Sequence, residues 1–205
     1  MVDDRWDDTD GLEFCPWVGP NYGRSIFKIR ILVMGESTYL GSNETREQYQ
    51  ELRNRRGAAY FIEHDILPYR NGCWKAGFWT KWINGLLDRR TTSLSERQMV
   101  LDSVAFWNYA DGPPLDGPGA DPRADDLKGA NGKLKKVITK LEPNLVILMS
   151  RRLWPNLSKG AGFGTDPNAL HGTVCKDKGW RRRIQFPEHL PPTRVQQKEG
   201  LVRHP

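Results

Sequence analysis

Four short apolar runs constrain this chain most, because each stops at a residue able to do chemistry. Residues 28–34 (KIRILVM) run into Gly35, residues 103–107 (SVAFW) into Asn108, residues 144–149 (NLVILM) into Ser150, and residues 200–203 (GLVR) into His204. The second and third are apolar without alternation, as strands covered on both faces must be. Helical patterns fall between these runs. Residues 43–56 are polar, with an acidic start and a basic end that agree with the helix dipole. Residues 74–90 place Phe78, Trp82, Ile83, Leu86 and Leu87 on one face. Residues 95–101 form a short helix, with Ser93 or Ser95 as its cap. Residues 126–141 carry Leu134, Val137, Ile138 and Leu141 and stop before Pro143. Residues 151–157 make a short turn of helix directly after a strand. Strands alternating with helices predict βαβ units and a mostly parallel sheet, hence an α/β fold. Residues 158–199, rich in Gly, Pro and basic side chains, read as a long irregular excursion before the last strand.

A chain of 205 residues fits one domain with a sizeable core. Residues 1–27 read as an N-terminal extension packing on that domain. No apolar run approaches the ~20 residues needed to cross a bilayer, and the acidic N-terminus lacks the apolar centre of a secretory signal. The formal charge is +6, and basic residues cluster at 53–56, 89–90, 151–152 and 181–183. A polyanion partner suits that distribution, and so does an ordinary solvated surface; charge alone leaves both open. Three cysteines, far apart and odd in number, suit reduced thiols in the cytoplasm rather than a disulfide framework. His171 and Cys175 have chelating spacing but make only two ligands, so no metal site is expected.

In an open parallel sheet, ligands bind beyond the carboxyl ends of the strands. The sequence puts Glu36, Asn108, Ser150 with Arg151 and Arg152, and His204 at four such ends. One carboxylate, one amide, two guanidinium groups and one imidazole would therefore converge on one rim.

The segments ILVMGESTY, VAFWNYADGP, PNLVILMSRRLW and GLVRHP, in that order, resemble the signature segments of the uracil-DNA glycosylase superfamily. The resemblance implies a three-layer α/β/α sandwich around a central, mostly parallel four-stranded sheet over residues 28–205. It also implies a DNA glycosylase: an enzyme that flips a base from single- or double-stranded DNA, hydrolyses its glycosidic bond and leaves an abasic site. Glu36 and His204 take the catalytic roles. Glu36 orients water or stabilises the sugar cation, and His204 stabilises the departing base anion. Asn108, Tyr39 and Phe61 form the base pocket: an amide that pairs with a base edge and aromatics that shape its walls. Ser150, Arg151 and Arg152 meet phosphates. The enzyme is read as a cytoplasmic monomer without cofactor, its target either a uracil-like or a modified base, including the hypermodified bases of phage DNA.

The match is incomplete. Ser37 and Thr38 stand where the best-known branch has Asp and Pro, so Glu36 must supply the carboxylate. Three cysteines cannot supply the four that hold an iron–sulfur cluster in some branches, so no cluster is expected. Relatives continue past the His-Pro turn with residues that enter the minor groove; if Pro205 is the natural end, a wedge is expected from residues 160–164 or 180–183, or else duplex DNA is not the preferred substrate. Each position also has a plainer reading: Glu36 as a helix cap, Asn108 as a turn former, Phe61 and Tyr39 as core-edge aromatics, His204 as an ordinary terminal histidine. Two other classes remain. One is a non-catalytic nucleic-acid-binding protein on the same fold. The other is an SGNH-type hydrolase using Ser37 and His204, against which Leu201 stands where an orienting Asp is needed.

Overall fold

The computed structural model describes residues 6, 11–24, 26–38, 45–73, 77–90, 93–110, 112–113, 120–150, 153 and 156–157. In chain order its elements are β1 (Trp17–Val18), β2 (Ile31–Gly35), α1 (Arg46–Arg56), a 3-10 turn (Gly57–Ala59), a π-helical turn (Ile62–Ile66), α2 (Leu67–Arg70), α3 (Gly77–Leu87), α4 (Leu94–Asp102), β3 (Ala105–Asn108), α5 (Ala130–Leu141) and β4 (Leu145–Leu148).

The sheet has four strands in the order β1-β3-β2-β4. β3 and β4 flank β2 and both run parallel to it, with Met34 opposite Trp107 on one side and Leu148 on the other. β1 closes the β3 edge antiparallel, with Trp17 opposite Phe106. Every residue of β2 is buried, which is why its sequence ILVMG is uniformly apolar: a central strand has both faces covered. The three parallel strands thus fall where the apolar runs place them, each a residue or two shorter. Residues 200–203 lie outside the described residues, and the fourth described strand is β1, inside the segment read as an extension. Two residues at a sheet edge are too few to write a periodic signal.

Phe106 centres the packing on one face of the sheet. Trp79 tilts against it at 4.6 Å between ring centroids, Phe61 stacks on it at 6.0 Å and Phe78 meets it edge-on at 6.1 Å. Phe14 extends the cluster through Phe61 at 5.5 Å. Full burial of a ring such as Phe106 contributes about 1.5–3 kcal/mol, so this cluster carries much of the attachment of α3 and of the 57–66 turns to the sheet. A bidentate pair fastens α2 to the end of α4: Arg70 Nε and Nη2 donate to the two carboxylate oxygens of Asp102 at 2.7 and 2.8 Å.

The helix ends follow their sequence cues. Thr45 and Gln48 form a reciprocal capping box at the start of α1. Ser93, not Ser95, caps α4 by accepting from the Glu96 N–H. α5 stops at Glu142, which takes a left-handed conformation just before Pro143 and pairs with Arg30 at 2.8 Å. Residues 57–70, which carry no clear helical stripe, are nonetheless mostly helical, with Pro68 tolerated at the start of α2. Among the described residues no helix is long and apolar enough to cross a membrane.

Candidate functional site at the carboxyl edge

Because β2, β3 and β4 are parallel neighbours, their carboxyl ends share one edge, and Glu36, Asn108 and Ser150 all lie on it. β2 is central, so the Glu36 loop sits between the other two. The pairing of β2 with β3 continues past the strands into their loops. Tyr109 N–H donates to the Gly35 carbonyl at 3.0 Å, and Ala110 N–H to the Glu36 carbonyl at 2.8 Å. Two side-chain bonds complete the tie. Asn108 Nδ2 donates to Thr38 Oγ1 at 3.0 Å, and Ser37 Oγ donates to the Gly112 carbonyl at 3.1 Å.

Asn108 is therefore held in place, 5% exposed, with its amide lying over Gly35. A Cβ at Gly35 would lie 2.1 Å from Asn108 Oδ1 and 2.9 Å from Phe106 Cζ. The glycine at the end of the strand is thus a matter of space: it lets an amide and an aromatic ring from the next strand close over it. Glu36 is half-buried. Ser37 and Thr38 are buried at 6% each. The Ser37 hydroxyl turns inward to Gly112, an orientation unsuited to a nucleophile.

Ser150 is half-buried two residues beyond β4, where the Met149 N–H donates to the Met34 carbonyl at 2.9 Å. Tyr109, next to Asn108, is buried, and its hydroxyl donates to Asn131 Oδ1 at 2.7 Å; Asn131 Nδ2 in turn donates to the Asn156 carbonyl at 3.3 Å. That relay braces the end of β3 against the start of α5 and the segment after β4. Burial pushes the Tyr109 phenol above its ordinary value of 10.0.

Phe61 lies one ring behind the edge: it is buried between Phe14 and Phe106, and it is Phe106 whose tip reaches Gly35. Phe78, 43% exposed, is the described aromatic of this cluster with an open face. Tyr39, Arg151, Arg152 and His204 lie outside the described residues, as do His171 and Cys175. Among the described residues no group of three or more His, Cys, Asp or Glu side chains could hold a metal ion.

Sequence reasoning did not anticipate Thr38 as the partner of Asn108, nor Gly112 and Glu13 as neighbours of this edge. The Asp-Gly-Pro turn at 111–113 was a usable signal for a tight return towards the first loop. Glu13 had none, because its position depends on a two-residue strand. Comparison of the chain with protein-family models and with curated proteins found no match.

Proposed function

We propose that the chain is a DNA glycosylase built as a three-layer α/β/α sandwich. One observation carries the reading: Glu36 and Asn108, taken from separate sequence motifs, end adjacent parallel strands whose loops are hydrogen-bonded together. The layering is supported by topology. The connection from β2 to β3 moves to one side of β2 and that from β3 to β4 to the other; right-handed crossovers then lay α1–α4 and α5 on opposite faces. The same reversal opens a crevice at the carboxyl edge of β2, where ligands of open α/β sheets bind.

In this mechanism the base leaves the stack and meets Asn108, held before any ligand arrives. With only 5% of Asn108 exposed, entry requires the 36–38 loop to shift. Glu36 orients a water molecule against the deoxyribose C1′. The water oxygen bonds to C1′ as the C1′–N bond breaks, the electron pair of that bond leaves with the base, and the water proton passes to the carboxylate. His204 supports the departing base anion, and Ser150, Arg151 and Arg152 meet the backbone phosphates. Tyr39 and the more exposed Phe78 wall the base, and Phe61 backs the pocket from behind Phe106. The protein acts on DNA as a cytoplasmic monomer without metal, cofactor or iron–sulfur cluster.

The test is a panel of labelled oligonucleotides, single- and double-stranded, carrying uracil, hypoxanthine, 5-hydroxymethylcytosine and its glucosylated form. Alkali reveals abasic sites. The expected result is cleavage at one base, lost in Glu36→Ala, Asn108→Ala and His204→Ala. DNA binding without any abasic site would leave a non-catalytic binding protein on this fold, a reading that the closure of Asn108 onto Thr38 favours.

A further inference from the structure

We propose that Thr38 is a latch: its hydroxyl occupies the amide of Asn108 in the free protein, and a base read by Asn108 binds by taking the place of Thr38. The proposal rests on the glycosylase reading for the ligand, and it adds to that reading the step that admits the base.

The two partners differ in how firmly they are held. Asn108 ends β3 and stands in register with Gly35 of β2. Its amide oxygen lies over Gly35, where a Cβ would come within 2.1 Å of it. Beyond it the backbone stays paired, with Tyr109 N–H on the Gly35 carbonyl at 3.0 Å and Ala110 N–H on the Glu36 carbonyl at 2.8 Å. The sheet and its continuation therefore fix Asn108. Ser37 and Thr38 belong to no helix or strand. The bonds that close them onto the edge come from their side chains: Thr38 Oγ1 accepts from Asn108 Nδ2 at 3.0 Å, and Ser37 Oγ donates to the Gly112 carbonyl at 3.1 Å. Of the two partners, the loop is the one free to move.

The structure shows the closed form, with Asn108 5% and Thr38 6% exposed. A buried amide hydrogen is costly to leave without an acceptor. Thr38 Oγ1 is the acceptor here, so whatever displaces it must bring an acceptor of its own. A base carbonyl or ring nitrogen does so. Thr38 and the base thus compete for one donor, and the competition has a sign. An interaction made only in the closed form lowers the apparent affinity of any ligand that needs the open form, in proportion to the fraction open. Removing the Thr38 hydroxyl should therefore tighten base binding. Removing a group that helps to hold the base would do the reverse.

The test measures binding, so that it does not depend on turnover. Single-stranded oligonucleotides carry uracil or hypoxanthine on a 2′-fluoro sugar that resists glycosidic cleavage, and a third carries a tetrahydrofuran site with no base. Affinities are measured for the wild type, for Thr38→Val, which keeps the shape without the hydroxyl, and for Thr38→Ser, which keeps the hydroxyl. Thermal unfolding controls for folding, and NMR follows exchange of the Asn108 side-chain amide hydrogens without DNA. Relative to the tetrahydrofuran control, Thr38→Val is expected to bind at least one base-bearing oligonucleotide about tenfold tighter than the wild type does. Thr38→Ser should match the wild type, and the Asn108 amide hydrogens should exchange faster in Thr38→Val alone. Unchanged or weaker affinity of Thr38→Val, an equal gain in Thr38→Ser, or unchanged exchange overturns the latch; cleavage of the ordinary sugars would then leave the glycosylase reading standing without it. The tenfold gain combined with no abasic site would overturn the glycosylase reading and leave the latch. No binding to any oligonucleotide overturns both.

Discussion

At position 35 the space for a side chain is already taken. A methyl group there would press on Asn108 Oδ1 and on the tip of Phe106, both fixed by their own packing. Gly35→Ala is therefore expected to destabilise the fold by about 1–3 kcal/mol, read from urea unfolding, through the backbone and rotamer shifts that overpacking forces. A loss below ~0.5 kcal/mol would show that the Asn108 loop yields easily. Thr38 is the complementary case. Thr38→Val keeps the shape but strands the buried amide hydrogen of Asn108, a cost of about 1–3 kcal/mol, whereas Thr38→Ser keeps the hydroxyl and stays close to wild type. Equal stability of the two variants would mean that the bond contributes nothing. These positions mark how far the site was legible in the sequence. Asn108 and Glu36 could be named because an apolar strand stops on or just before each. The partner that holds Asn108, 70 residues away, could not, because strand ends predict an edge but not which side chains meet across it.

The elements divide in the same way. β2, β3 and β4 were legible because buried parallel strands must be apolar throughout, and α5 because Leu134, Val137 and Leu141 recur at helical spacing and are buried. β1 and the helical stretch 57–70 were not: the first is too short for a pattern, and the second is apolar on several sides, with Tyr60, Phe61, Ile62, Ile66 and Tyr69 all buried. Where α5 meets the site, Tyr109 makes the joint testable. Its folded-state pKa is raised by burial, so its contribution is fully present below the unfolded value of about 10 and is lost as the pH climbs towards the folded value. Stability should thus fall above pH ~10 as unfolded chains ionise this phenol and folded ones resist. Tyr109→Phe should cost about 1 kcal/mol near neutral pH, from the lost bond to Asn131, and should flatten the alkaline decline. Parallel alkaline curves for the two proteins would assign that decline to other tyrosines.

For the molecule as a whole, the proposed function ties the basic charge to the carboxyl edge of the sheet. The chain carries +6, and the pair Arg151 and Arg152 directly follows Ser150, which stands beyond β4 at the carboxyl edge beside the Glu36 loop. On the proposed reading, in which Arg151 and Arg152 meet phosphates, a polyanion whose base reaches Asn108 is neutralised by those two guanidinium groups. Each phosphate neutralised releases condensed counterions, so the logarithm of affinity falls linearly with the logarithm of salt, at about 0.9 per contact on duplex DNA. Duplex affinity should therefore drop steeply between roughly 50 and 200 mM NaCl, as expected for several phosphate contacts. The double substitution of Arg151 and Arg152 by Ala should lower the slope by about two while weakening all sequences alike, because phosphate contacts position and do not read. An unchanged slope would place the polyanion elsewhere on the surface, away from Glu36 and Asn108. The basic charge would then be ordinary solvation, and the case for DNA as the partner would rest on the strand-end residues alone.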